Sequence, residues 1–231
     1  MSATSDSPDQ PAISVKTALR LGWNKTFENL RALALIGAVG VVLSVLAGEL
    51  ARPPGEPLVG FMVLCMLAGV TLALFRASLD LNDGRSVEPS RPFELVRGFI
   101  PFVVTLLLYG FIVAAGLLLC LVPGVAWAVQ FGFAPFIALE GQPDALLCLR
   151  ESSRLTAGHR FHLLEFYGTG LLVNVLGCLA FGVGLLITIP MTLIAAAHLY
   201  RGLQAFGSEI RSRTLLVAEP TSDQPSERHC K

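Results

Sequence analysis

The chain has little charge, and its charges are absent from long stretches. Charged residues make up 15% of its 231 residues, against about 25% in ordinary soluble domains. Residues 98–139 contain no Lys, Arg, Asp or Glu. A helix needs about 20 apolar residues to cross the hydrocarbon core of a bilayer, so this stretch is long enough to cross, turn and return. These absences exclude a soluble domain and predict an integral membrane protein.

A net charge and the motifs of common enzymes are also missing. Seventeen basic and seventeen acidic residues cancel, which gives no reason to expect a nucleic-acid partner. The sequence has no His-Glu-x-x-His, Gly-x-Ser-x-Gly or Walker-type phosphate motif. Its five cysteines show no pairing pattern and are expected to be reduced thiols. We therefore expect a protein that is not an enzyme and has no catalytic residues, metal site or cofactor.

The sequence contains four long apolar stretches. Residues 32–48, 57–75, 98–139 and 166–200 are free of charged residues. The two long stretches are each expected to form two spans, divided near Pro123-Gly124 and near Gly182 and Gly184, because proline and glycine interrupt helices. The sequence thus predicts an all-α integral membrane fold, a bundle of six transmembrane helices. A four-span fold with two re-entrant hairpins is the alternative.

The basic residues alternate between the connections. Lys and Arg number four before the first predicted span, then one, four, none, three, none and five in the successive segments. Because positive residues accumulate on the cytoplasmic side, both termini are expected in the cytoplasm. Residues 1–31 are then a cytoplasmic segment with an amphipathic helix and residues 32–203 the transmembrane domain. Residues 204–231 are a cytoplasmic tail, which its polarity predicts to be disordered.

Two cytoplasmic segments are predicted to be amphipathic helices. In the first, Val15, Leu19, Trp23 and Phe27 recur every fourth residue, which suits a helix lying in the headgroup layer. Packing on the surface of the bundle is an equal alternative for this helix. The second covers residues 143–162 and ends near Gly158.

A weak internal repeat links these two segments. Each segment precedes a predicted span, and the two share a similar pattern of residues at nearly the same spacing. The first contains Ala18-Leu19-Arg20, Thr26 and Gly37, and the second contains Cys148-Leu149-Arg150, Thr156 and Gly168. Either chance or a repeated unit of amphipathic segment and membrane hairpin explains the match.

Five polar residues are the candidates for binding. Gln130 and Asn174 lie within predicted spans, where they would line a polar cavity or form hydrogen bonds between helices. Arg150, Arg154 and Arg160 lie in one basic connection. They would hold lipid phosphates or act only as positive anchors on the cytoplasmic side.

Small and proline residues indicate how the helices pack. Gly40, Ser44 and Gly48 are spaced by four, which predicts a close helix–helix contact within the chain or in a homodimer. Kinks are expected at prolines within spans, which are Pro101, Pro135 and Pro190.

One region resembles a known family. It combines Pro123-Gly124, the aromatic-Ala-Pro-aromatic run of residues 133–136, and the Leu, Ser and Gly pattern of residues 145–158. This region, with residues 189–201, is similar to the YciC-like bacterial six-span membrane proteins, which are related to the membrane domain fused to some glycerophosphodiester phosphodiesterases. The resemblance implies a multi-pass protein of the bacterial inner membrane. It carries no assigned chemistry and therefore no functional residues.

Three classes of function remain open. The first is a non-catalytic inner-membrane protein in envelope or lipid homeostasis, whose partners are membrane lipids, another membrane protein or a second copy of itself. The second is a transporter or permeation pathway for a small or amphiphilic solute. The third is a membrane-embedded enzyme acting on lipids, which the absence of a recognisable catalytic motif disfavours.

Overall fold

The computed structural model describes residues 15–50, 57–85, 92–179 and 184–218, and these ranges contain helices and turns but no strand. The all-α prediction is confirmed for this part of the chain. The predicted division near Gly182 lies outside the described residues. The helices are α1 (Val15–Glu28), α2 (Leu30–Leu50), α3 (Pro57–Asn82), α4 (Pro92–Leu119), α5 (Leu121–Phe131), α6 (Ala134–Leu139), α7 (Ala145–Thr156), α8 (Arg160–Leu179) and α9 (Leu185–Ala218).

Several of these helices have the length and composition of membrane spans. Five described stretches qualify, and they are Gly60–Asn82, Gly98–Leu119, Leu121–Leu139, Arg160–Leu179 and Leu185–Glu209. A sixth candidate is the bent pair formed by Val15–Glu28 and Leu30–Leu46, whose axes meet at 90°. The chain is therefore a multi-pass membrane protein with five or six candidate spans.

The charge-free stretch 98–139 breaks earlier than predicted. Cys120, with extended backbone angles, separates α4 from α5, so the predicted division at Pro123-Gly124 is wrong by a few residues. Pro123 lies in the first turn of α5, where a missing N–H breaks no helical hydrogen bond. A second break follows at Gly132 and Phe133, directly before Pro135 in the first turn of α6. The predicted interruption at Pro135 is thus present.

Glycine pairs bring the helices of two hairpins together. A Cβ atom built on Gly116 of α4 would lie 2.8 Å from the Cα of Gly124 in α5. One built on Gly184, just before α9, would lie 2.6 Å from the Cα of Gly177 in α8. No larger residue fits at these crossings without moving a backbone, so the pairs allow the close approach that substitutes for hydrophobic attraction inside lipid.

The core lies at one end of the bundle, around α6. All six residues of α6 are buried. The ring of Tyr200 in α9 packs against Phe133 and Phe136, with centroid distances of 5.8 and 5.6 Å. Phe75 of α3 lies 4.9 Å from Phe136. Aromatic packing therefore joins α3, α6 and α9 at this end of the bundle.

Helix α1 presents two different faces. Its buried face is made of small residues, and Gly22 on that face packs against Met191 and Ala195 of α9. Trp23 and Phe27 are about half exposed, and their ring centroids lie 4.6 Å apart. The helix thus packs on the bundle and also leaves an aromatic pair free for the headgroup layer, so both sequence-based alternatives retain support.

Helix α7 follows the boundaries expected from the sequence. It begins after Asp144, whose side chain accepts a 2.9 Å hydrogen bond from the N–H of Leu146. It ends before Gly158, which has a φ of 87° that favours glycine. Its location relative to the membrane stays a prediction.

Helices α1 and α7 bury corresponding positions. The buried residues of α1 match buried residues of α7 at one constant offset, and the pairs are Val15 and Ala145, Ala18 and Cys148, Gly22 and Ser152, and Thr26 and Thr156. Each helix packs beside a span that contains a proline, Pro190 in α9 or Pro135 in α6. This agreement strengthens the repeat interpretation of the sequence.

The tail is helical over its first part. Helix α9 continues to Ala218, so the predicted disorder is wrong for residues 204–218, while residues 219–231 lie outside the described residues. Polar side chains end a membrane span, but they do not end a helix. The first proline after the span is Pro220.

Candidate functional site

Five polar residues from three parts of the chain meet beside the middle of α9. Tyr200, Arg201 and Gln204 follow one another within one helical turn, while Asp83 follows α3 and Glu140 follows α6. We call these five residues the Arg201 cluster. Arg201 Nη2 lies 2.7 Å from Asp83 Oδ2, and Arg201 Nη1 donates to Glu140 Oε1. One guanidinium therefore joins the ends of α3 and α6 to α9.

Glu140 is the most heavily shared member of the cluster. Its carboxylate accepts hydrogen bonds from Arg201, from the Tyr200 hydroxyl and from Gln204 Nε2, the last at 2.8 Å. Gln204 Nε2 also lies 2.7 Å from the Tyr200 hydroxyl oxygen. The side chains of Arg201, Asp83 and Glu140 are 33%, 26% and 29% exposed. The cluster is thus partly shielded from water, which strengthens its ion pairs relative to those on an open surface.

Two further cations bind helix ends beside the cluster. Lys25 Nζ donates to the carbonyl of Leu81 near the end of α3. Arg76 Nη1 donates to the carbonyl of Leu139, the last residue of α6, at 3.0 Å. Carbonyls at the end of a helix lack helical partners and carry partial negative charge, so cations stabilise them. We call the end of the bundle that contains these contacts and the Arg201 cluster the basic end.

Two open cavities flank the cluster at the basic end. Cavity A has a volume of about 660 Å³, and the charged residues that line it are Arg76, Asp80, Asp83, Arg85, Glu140 and Arg201. Cavity B has a volume of about 610 Å³, and its polar lining includes Glu140, Glu151, Arg154, Tyr200 and Gln204. Both volumes lie in the range of small-molecule sites.

Gln130 connects the broken span to α7. Its side-chain amide donates to Ser153 Oγ at 2.7 Å, and its backbone carbonyl accepts from Ser152 Oγ at 3.0 Å. Ser152 Oγ also accepts from the N–H of Phe133 at 3.3 Å. The hydroxyls of α7 thus satisfy backbone groups that the break between α5 and α6 leaves without helical partners.

Asn174 lies in a separate contact between α8 and α9. Its Nδ2 lies 3.5 Å from Thr192 Oγ1. The structure does not bring Gln130 and Asn174 together in either polar cavity, since neither residue lines cavity A or cavity B.

The three candidate arginines are all exposed. Arg150 and Arg154 lie on α7, and Arg160 is the first residue of α8. Arg154 Nη1 lies 3.6 Å from Glu151 Oε2 in a solvent-exposed ion pair, and Arg154 also lines cavity B. No group of three His, Cys, Asp or Glu residues is placed to hold a metal ion within the described ranges.

The predicted packing residues of α2 differ in their surroundings. A Cβ atom built on Gly40 would lie 3.1 Å from Val70 Cγ1 in α3, so α2 and α3 pack closely at this residue. Ser44 Oγ donates back to the carbonyl of Gly40 at 2.8 Å. Around Gly48, nothing in the described part of the chain lies within 4 Å of such an atom.

Comparisons with known proteins point to a membrane protein without an assigned chemistry. No family model matches the chain, and no solved structure matches it significantly. The chain is similar to a UPF0259 membrane protein of Sodalis glossinidius (strain morsitans), with 32% identity over 99 residues. The match covers 42% of this chain and 38% of that relative's length. It supports a membrane family of the YciC-like kind, and the relative's name states no activity.

Proposed function

We propose that the chain belongs to the YciC-like membrane proteins and is a six-span, non-catalytic protein of the bacterial inner membrane that acts in envelope or lipid homeostasis. Both termini and the basic end lie in the cytoplasm, where the basic end contacts lipid headgroups. The relation to membrane domains fused to glycerophosphodiester phosphodiesterases stays a prediction of the sequence.

The meeting of the charged connections at one end is the observation that carries this proposal. Contacts of Lys25, Arg76 and Arg201 join α1, the C-terminal end of α3, the C-terminal end of α6 and the middle of α9. The predicted cytoplasmic segments to which these residues belong contain most of the basic residues. Such an end suits the cytoplasmic leaflet, whose anionic lipids attract basic segments next to the membrane.

Single-cysteine variants test the six-span orientation. With only Cys120 or only Cys178 retained, an impermeant maleimide is expected to label the protein in intact spheroplasts. Both residues are exposed and lie about 20 residues along α4 and α8 from the basic end, roughly 30 Å of helix. A cysteine placed at exposed Ser208 is expected to react only after permeabilisation.

Cys148 serves as a burial control for this experiment. It is buried, and burial raises the pKa of its thiol. Because only the thiolate reacts, a Cys148-only variant is expected to label slowly even after permeabilisation. If Cys120 and Cys178 are protected in spheroplasts but react after solubilisation, the protein has re-entrant hairpins and the six-span proposal is wrong.

Lipid binding tests the functional part of the proposal. Replacing Arg150, Arg154 and Arg160 together with glutamine is expected to weaken phosphatidylglycerol binding on the order of tenfold or more, since each basic residue near a membrane surface contributes about 1 kcal/mol. Native mass spectrometry of the full chain, titrated with this lipid, measures the change. Replacing the same three arginines with lysine, which keeps their positive charges, is the matched control and is expected to retain most of the binding. Unchanged binding in the triple variant would contradict the proposal.

A permeation pathway is the second candidate. Asn174 Oδ1 and Thr188 Oγ1 are buried between α8 and α9 without hydrogen-bond partners in the described structure, and polar atoms at membrane depth mark many transport routes. Solute flux into liposomes that depends on Gln130 or Asn174 would favour this function over the first. Flux that is absent, or unchanged by Gln130→Leu and Asn174→Leu, would rule it out.

A further inference from the structure

Cavity A lies where two candidate spans meet the membrane surface. Asp80 lies near the end of the span Gly60–Asn82, and Gly98 begins the span Gly98–Leu119. A cavity bounded by the last turn of one span and the first turn of another is level with the lipid headgroups.

Arginines and carboxylates line this cavity in equal number. Arg201 already binds Asp83 and Glu140, and Arg76 binds the Leu139 carbonyl. Asp80 and Arg85 also line the cavity, but within the described ranges their side chains form no hydrogen bond and no ion pair. The cavity therefore offers one acidic and one basic side chain to a ligand.

The helix end keeps these two residues close together. The N–H of Arg85 donates to the carbonyl of Asp80 at 2.8 Å, and the N–H of Gly84 donates to that of Leu81 at 3.4 Å. Gly84 has a φ of 72°, so the turn is a Schellman motif. The turn therefore fixes the backbone positions of Asp80 and Arg85 relative to each other before a ligand binds.

We propose that cavity A binds a zwitterionic phosphoethanolamine group, with its phosphate at Arg85 and its primary ammonium at Asp80. The proposal deepens the lipid-binding function above and rests on its orientation. Asp83 and Glu140 are neutralised by Arg201, so a headgroup with only negative charge could bind Arg85 but would leave Asp80 without a counter-ion and would be repelled by it. Charge-assisted hydrogen bonds to both ends of a zwitterion satisfy both signs.

The lining also discriminates between amines. A choline group has no N–H to donate to Asp80, and proteins recognise it with aromatic side chains. No aromatic residue is among the described residues that line cavity A. Phosphatidylethanolamine and soluble phosphoethanolamine share the required chemistry, so they are the two candidate sources of the ligand.

Native mass spectrometry of the full chain tests the proposal with equimolar phosphatidylethanolamine, phosphatidylglycerol and phosphatidylcholine. We expect phosphatidylethanolamine to be retained preferentially. Asp80→Asn and Arg85→Gln are each expected to weaken its binding about tenfold, the effect of losing one hydrogen bond to a charged group. Arg85→Lys, which keeps the charge, is expected to retain much of the preference. Glu165→Gln and Arg20→Gln, at exposed positions outside the cavity, are expected to leave it unchanged.

A competition with soluble phosphoethanolamine distinguishes the two sources. Displacement of the bound lipid by millimolar phosphoethanolamine would show that the headgroup suffices. Lack of displacement, with the preference still lost in Asp80→Asn and Arg85→Gln, would show that the lipid is the ligand. Equal binding of the three lipids, or a preference that neither variant changes, would overturn the proposal. Phosphatidylglycerol binding that still depends on Arg150, Arg154 and Arg160 would then leave the proposed function standing.

Discussion

Arg201→Gln is expected to lower the free energy of unfolding by about 2 kcal/mol, since the change leaves two carboxylates without their shared cation. Asp83 and Glu140 are both about one quarter exposed, so water partly compensates for the loss and the cost stays below that of a fully buried ion pair. The variant also disconnects the ends of α3 and α6 from α9. Thermal unfolding of the full chain in detergent or nanodiscs measures the effect.

A matched surface ion pair provides the control. Arg154→Gln removes the 3.6 Å pair with Glu151, in which both side chains are well exposed, and is expected to cost less than about 0.5 kcal/mol. Glu140→Gln combined with Arg201→Gln should cost less than the sum of the single changes, because both remove the same interaction. Equal effects of Arg201→Gln and Arg154→Gln would mean that the Arg201 cluster contributes little to stability.

Gly124→Ala is expected to destabilise the α4–α5 hairpin by about 1–3 kcal/mol through steric overlap. The new Cβ atom would lie 2.6 Å from the backbone nitrogen of Leu117. Since backbone atoms cannot rotate away as a side chain does, the two helices must separate. The melting temperature of the purified variant reports the change, and limited proteolysis near Cys120 reports any opening of the hairpin.

Gly110→Ala is the control for this substitution. Gly110 lies on the same helix as Gly116, yet no described heavy atom comes within 4 Å of a Cβ built there. The change is expected to be neutral or slightly stabilising, because alanine favours helix more than glycine does. Similar destabilisation by Gly110→Ala and Gly124→Ala would contradict the close crossing at Gly124.

Local patterns predicted the helices well, because each depends on neighbouring residues. The charge-free stretches identified the candidate spans, and the predicted end of α7 near Gly158 follows from ordinary helix-capping chemistry. The break at Cys120 was missed because Pro123 is the stronger helix breaker in isolation. A proline in the first turn of a helix interrupts nothing, and that position depends on where the preceding helix ends.

The Arg201 cluster could not be predicted in the same way. Arg201 lies 118 positions from Asp83 and 61 from Glu140, so no local period connects them. Each residue alone is typical of a charged side chain near the end of a span. The sequence does show that Glu140 directly follows one charge-free stretch and that Arg201 directly follows another. This pattern marks the ends of two predicted spans, but it does not show that the two residues are partners.

The dominant role of α9 has a consequence for biosynthesis. Helix α9 packs on α1, α2, α3, α7 and α8 and supplies Arg201, yet the ribosome makes it after all of them. Until it inserts, the small-residue face around Gly22 has no partner and Asp83 and Glu140 have no counter-ion. A chain whose translation stops before residue 185 therefore lacks the main packing partner of α1, and we expect it to be degraded faster than the full chain by proteases that remove unassembled helices.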